Sequence, residues 1–351
     1  EEAFEGDLDR YIYSRYGNPT VSMFQERLRI IEGAEACYAT SSGMSAVFTS
    51  LIAVLESGDR VVASKGLFGS CFLILDEILP RWGITTTFLD GDDLTAWEEA
   101  LAAGAKAVFF ETPSNPMQGL VDISAVSALA HDAGALVIVD NVFATPVLQQ
   151  PLALGADVVV YSTTKHIDGQ GRTLGGAILG SEEYIVDKVQ PFIRHTGPAL
   201  SPFNAWVLVK SLETLDLRVN AQTASAAGLA AHLEGLEGVA RVWYPFLDSH
   251  PQADLARLQM SGGGSVVTFE IEGGKDEAFA VLNAMEVVDI SNNLGDSKSL
   301  ITHPASTTHR RLGPEVRDVM GITDGVIRIS IGLEGIDDLI ADVEQALSVL
   351  R

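Results

Sequence analysis

An open α/β sheet of mostly parallel strands is the fold class that this sequence of 351 residues predicts. Three observations carry it. Over the first part of the chain short apolar runs alternate with helical stretches, the pattern of a doubly wound sheet. Two of these runs, residues 136–139 and 157–161, read as apolar strands buried on both faces, and each leads to a polar group at its carboxyl end. From about Gly238 the rhythm changes to that of a smaller α+β unit.

In chain order, residues 1–15 are irregular. A helix then starts at Asn18-Pro19-Thr20, carries Val21, Phe24, Leu28 and Ile31 at helical spacing, and stops at Gly33. A strand at 36–40 turns through Ser41-Ser42-Gly43-Met44 into an apolar helix reaching Leu55. The strand at 60–63 leads to LFGSC. Two further strand-helix pairs follow, ITTTFLD with DLTAWEEALAAG and KAVFFETPSN with DISAVSALAHDAG. Pro113 and Pro116 hold the turn after Glu111 extended. After the strands at 136–139 and 157–161, a glycine-rich run returns as a strand at 176–179. Residues 201–236 read as one long helix with Leu208, Leu212, Leu215 and Val219 along one stripe. Beyond it, strands are expected at 239–244, 265–271, 287–290 and 326–331, and helices at 252–259, 276–285 and 336–350. The expected division is an arm and helix over 1–34, a large α/β domain over 35–224 and an α+β domain over 225–351.

Composition narrows the function. A net charge of −24 argues against nucleic acid as a partner, and no apolar run reaches the roughly 18 residues that a membrane helix needs. Cys37 and Cys71 are the only cysteines and form no metal-ligand pattern, so a reducing cytoplasm is the expected compartment and no metal is expected. The chain begins at Glu1 rather than at a methionine, which leaves room for residues upstream.

The chemistry centres on residues 137–167. One strand ends in Asp140, and the other runs through Ser162, Thr163 and Thr164 to Lys165. In open α/β sheets ligands sit outside the carboxyl ends of the strands, so both groups should face one crevice. Taken singly, an Asp or a Lys after a strand is a helix cap or a solvated charge. Together, behind a run of hydroxyls, they suit pyridoxal phosphate, which needs a lysine for its Schiff base and an acid against its ring nitrogen. Gly43, at a strand-to-helix turn, lets backbone amides approach a phosphate, though such turns are common. Arg328 interrupts an apolar strand, an expensive placement unless the guanidinium is paired. The run IDGQGRTLGG follows the lysine and opens no helix, and Ser41–Ser45 holds one glycine. A dinucleotide-binding dehydrogenase is therefore a poor match.

SSGMSA, ETPSNP, VDNVFATP, YSTTKHIDGQGR and ITHPASTTH, in this order between Tyr13 and Glu334, resemble the Cys/Met-metabolism family of pyridoxal-phosphate enzymes. The resemblance implies fold type I, like aspartate aminotransferase, with a large mostly parallel α/β domain and a small C-terminal α+β domain. It implies Lys165 as the catalytic lysine and Asp140 against the ring nitrogen. Gly43, Met44, Ser162 and Thr164 would hold the cofactor phosphate, and Asn115 its ring hydroxyl. Tyr13 and Arg15 would reach the phosphate of a neighbouring subunit, in a homotetramer built as a dimer of dimers. Read alone, YSRYGNPT is equally a surface loop and Asn115 an ordinary Asn-Pro turn. Phe68 stands where relatives commonly carry a tyrosine, keeping a stacking ring and losing a hydroxyl. Arg328 would bind the substrate carboxylate, and Asn293, where many relatives have serine, would also face substrate. His303 and His309 read as structural, and Phe143 as either core or site. The implied reaction is γ-replacement on an activated homoserine, O-succinyl-L-homoserine with sulfide giving homocysteine, on the strength of Phe68 in LFGSC, Asn293 in NLGDSKSL and DGQGR. Cystathionine γ-synthase and the cystathionine and methionine γ-lyases are the alternatives within the family.

Overall fold

The computed structural model describes residues 10–350, so residues 1–9 of the expected N-terminal arm lie outside the described residues. Seven strands form the larger sheet: β1 (Ala36–Thr40), β2 (Arg60–Ser64), β3 (Thr85–Leu89), β4 (Ala107–Glu111), β5 (Leu136–Asp140), β6 (Val158–Ser162) and β7 (Gly176–Gly180). Their order is β1-β7-β6-β5-β4-β2-β3, with β2 to β6 mutually parallel and β7 antiparallel to both of its neighbours. The side chains of β4 show why the runs look apolar throughout. Ala107 and Phe109 enter the core on one face, while Val108 and Phe110 enter the core on the other.

The helix Pro19–Glu32 opens as expected, with Asn18 Oδ1 accepting from Thr20 N–H at 3.0 Å, and ends at Gly33 with φ +77°. The single helix expected over 201–236 is instead two, Pro202–Leu212 and Leu215–Leu233. At the break Thr214 N–H returns to Ser211 O in a tighter turn. The buried Arg218 guanidinium donates to the same carbonyl and to His166 O. Leu208, Leu212, Leu215 and Val219 share one core across the break, so the stripe runs on where the backbone does not.

A second sheet follows: β8 (Val239–Trp243), β9 (Val266–Ile271), β10 (Asp289–Ile290), β11 (Leu300–Thr302) and β12 (Val326–Ser330), in the order β10-β11-β12-β9-β8. Only two residues of the strand expected at 287–290 pair, because Val287 and Val288 N–H both donate to Asp342 rather than to a strand. The three-residue β11 lies in a stretch that the sequence presents as a loop. The C-terminal helix ends at Leu347, three residues early, in a tighter turn at Ser348–Leu350. Helix Leu215–Leu233 spans both halves. Leu215 and Val219 lie in the core beneath the larger sheet, and Ala226, Leu229 and Leu233 in that of the smaller. The expected boundary at 224/225 falls inside this helix. Among the described residues no helix is long and apolar enough to cross a membrane.

Candidate active site

The carboxyl ends of β4, β5 and β6 meet the N-terminus of helix Gly43–Ile52 and the inner end of β12 around a cavity of about 450 Å³. Gly43, Met44, Phe68, Asn115, Asp140, Ser162, Thr164, Lys165 and Arg328 all line it. Phe143 does so as well, packed on Val266 and Leu294.

On one wall Ser42 caps the helix, its Oγ accepting from Ser45 N–H at 3.1 Å, and the first amide groups at Gly43 and Met44 carry no acceptor among the described residues. A side chain at Gly43 would put its Cβ 2.5 Å from Ser162 Cβ and 2.8 Å from Ser162 Cα. Only glycine lets the helix start approach β6 this closely. Ser162 Oγ has no hydrogen-bond partner among the described residues, whereas Thr164 Oγ1 accepts from Gly175 N–H at 3.2 Å. The result is a nest of donors at a helix N-terminus, suited to a phosphate.

Asp140 and Glu111 are register partners on β5 and β4, and both are buried. Burial pushes the Asp140 carboxyl well up from its ordinary range, with Val142 N–H, 3.1 Å from Oδ1, only partly offsetting it. Burial, and then Asp140, raise Glu111 likewise. Glu111 accepts from Phe68 N–H at 2.8 Å and from Asn115 N–H at 3.0 Å, and so fixes two other residues of the cavity.

Arg328 is 1% exposed and pairs with no carboxylate among the described residues; Nη1 donates to Asn115 Oδ1 at 2.9 Å, and Nη2 to the carbonyls of Asn292 and Asn293. Its Nε is buried without a partner among the described residues. Burial brings its pKa down to about 10, against the pull of Glu111. With its oxygen engaged, Asn115 turns its amide N–H groups elsewhere, the orientation a donor to a ring hydroxyl requires. Lys165 Nζ donates to Asn293 Oδ1 at 2.6 Å, and burial, then the Arg328 charge, lower its pKa to about 8. Thus Asn293 bridges the amine and the guanidinium.

A family model described as Cys/Met metabolism PLP-dependent enzyme matches residues 1–348. The chain belongs to that family. Its members depend on pyridoxal phosphate, and so does this enzyme. A Mycobacterium tuberculosis protein named O-succinylhomoserine sulfhydrylase is 65% identical over 99% of this chain and 87% of its own length. A Pseudomonas aeruginosa protein of the same name is 50% identical over 99% and 86%. Among solved structures, cystathionine gamma synthase from Xanthomonas oryzae pv. oryzae, in complex with aminoacrylate and cysteine, is similar with a TM-score of 0.95 and 36% identity, over 98% of this chain and 89% of that one. The cavity fits the family's cofactor. A donor nest at the Gly43 turn suits its phosphate, and the second oxygen of Asp140, without a partner among the described residues, suits a ring N–H⁺.

Tyr13 and Arg15 do not enter this cavity. Tyr13 is exposed and packs on Tyr16, while Arg15 stacks over both rings and donates to Arg194 O. His303 and His309 are buried, with His303 bonded to Ser306 Oγ and Asp324 O and His309 to Thr308 Oγ1. The turn after Glu111 is not extended. Thr112–Pro113 and Asn115–Pro116 are cis, and Gln118 N–H folds back to Ser114 O at 2.9 Å. Sequence reasoning missed the bridging role of Glu111, whose Phe68 partner lies 43 residues away, and Arg311 on the cavity wall.

Proposed function

We propose that the enzyme carries out γ-replacement on O-succinyl-L-homoserine, with sulfide as the nucleophile and L-homocysteine as the product. One observation carries the reading. A cavity with Lys165, Asp140 and Arg328 on its walls sits in a chain 65% and 50% identical to two proteins named O-succinylhomoserine sulfhydrylase. When bound, pyridoxal phosphate supplies the electron sink that lets protons leave the carbons next to the amino group. Lys165, with its amine already brought down toward neutrality, accepts and returns those protons. Arg328 grips the α-carboxylate through its planar fork, and Asp140 holds a proton on the cofactor ring nitrogen. Asn115 donates to the ring hydroxyl, and Phe68 supplies a stacking face.

Phe68 also bears on the leaving group. A carboxylic ester releases a carboxylate of ordinary pKa about 4, which needs no proton to depart, whereas a departing thiolate benefits from a hydroxyl donor. Phenylalanine at this position therefore favours an ester over a thioether substrate, against the γ-lyase alternative.

The division at residues 34/35 and 224/225 belongs to the same reading, as does a cytoplasmic setting, which the two free, buried cysteines support. So does a homotetramer in which Tyr13 and Arg15 serve the partner's site. The exposed Phe203, Trp206 and Leu217 offer apolar surface for that assembly, and sedimentation as a monomer would remove it.

The deciding experiment is a product analysis. Holoenzyme with O-succinylhomoserine receives sulfide, cysteine or neither. Homocysteine from sulfide, in excess over cystathionine from cysteine, is expected. Dominant cystathionine would move the protein to the synthase branch, and 2-oxobutyrate regardless of thiol would mean elimination.

A further inference from the structure

We infer that Arg311 is the specificity residue for the acyl group of the substrate, recognising a carboxylate at the far end of the ester. The inference rests on the reading above and names what that reading leaves open, the chemistry that tells a succinyl from an acetyl ester. Five charged side chains line the cavity: Glu111, Asp140, Lys165, Arg328 and Arg311. The first four are engaged by hydrogen bonds to the protein. Arg311 alone makes no hydrogen bond or ion pair among the described residues, and it is exposed at the cavity wall.

Its position is built. Arg311 lies in the turn Arg310–Leu312, directly after the buried His309, whose backbone N–H is tied to Pro304 O at 3.0 Å. The segment is pressed against the Phe68 turn of the larger sheet. A side chain at Gly69 would put its Cβ 2.9 Å from Thr308 O, so this glycine is what lets the two walls meet. Thr307, Thr308 and Leu312 line the cavity beside Arg311.

O-Succinylhomoserine carries two carboxylates and O-acetylhomoserine one. A cavity with one buried guanidinium lacking a carboxylate and a second, wholly unpaired one on its outer wall is complementary to the dianion. Arg328, fixed by Asn115 and the 292–293 carbonyls, takes the carboxylate next to the amino group, and Arg311 takes the one on the acyl chain.

The test compares the two esters on holoenzyme of wild type, Arg311→Met and Arg311→Lys. Affinity is read from the change in the absorbance of the bound cofactor without sulfide, and kcat/KM with sulfide. Arg311→Met is expected to lower affinity and kcat/KM for the succinyl ester about 10-fold relative to the acetyl ester, with part of the loss recovered in Arg311→Lys. An equal change for both esters, or loss of the cofactor from Arg311→Met, would overturn the inference. Should wild type bind the succinyl ester in an Arg311-dependent way yet turn over neither ester, the sulfhydrylase reading falls and this one stands. Binding of neither ester by wild type would end both.

Discussion

Glu111 holds Phe68 and Asn115 by their backbone amides, one on each carboxylate oxygen. A glutamine there can accept from only one of them and turns an amide nitrogen toward the other. Glu111→Gln is therefore expected to lower stability by about 1–3 kcal/mol, the order of a buried donor left unsatisfied, and to speed cofactor loss. Denaturant midpoints of the cofactor-free protein and the rate of cofactor release check the two parts, and an unchanged midpoint would mean that the amides find other acceptors. Asp140, Lys165 and Arg328 were legible in the sequence because each breaks an apolar pattern at a strand or its end. Glu111 and Arg311 were not. The role of Glu111 depends on a residue 43 positions away, and Arg311 sits in a polar run where nothing local separates it from Arg310.

Among the elements, helix Pro19–Glu32 ends in a buried acid that takes no part in the site. Tyr161 OH donates to Glu32 Oε2, Oε1 has no partner among the described residues, and burial raises the pKa to about 8. The position at a helix C-terminus disfavours the charge further. Because the folded pKa lies above the ordinary 4.5, the contribution of this group is fully present below about pH 4.5 and is lost as pH rises through about 8. The melting temperature of Glu32→Gln should accordingly gain on that of wild type as pH climbs from about 4.5 to about 8, and the difference should then hold level. A difference that stays constant with pH would show that Glu32 is already ionised in the fold. The strands of the larger sheet and the first helix were readable from period and caps. The break at residues 213–214 was hidden, since the apolar stripe crosses it, and β11 is too short to show a period.

For the molecule as a whole, the layered order of the larger sheet followed from strand-helix alternation, whereas the meeting of its carboxyl edge with β12 of the smaller sheet did not. That meeting is made by hydrogen bonds such as Arg328 to Asn115, which join residues far apart in the chain. Tyr13 and Arg15 lie away from the cavity of their own chain.

The strand order carries one more consequence. β1 lies at an edge of the larger sheet, where β7 is its strand partner among the described residues, Thr40 opposite Gly176 and Ala36 opposite Gly180, with Thr40 also bridged to Ala199. As the chain leaves the ribosome, residues 36–40 therefore have no strand to pair with until residues 176–180 have been made. The helix Pro19–Glu32 waits longer, because it packs with the helix Pro202–Leu212 in the same core. Residues 19–40 are thus made well before the partners they need and are among the last of their half to be seated.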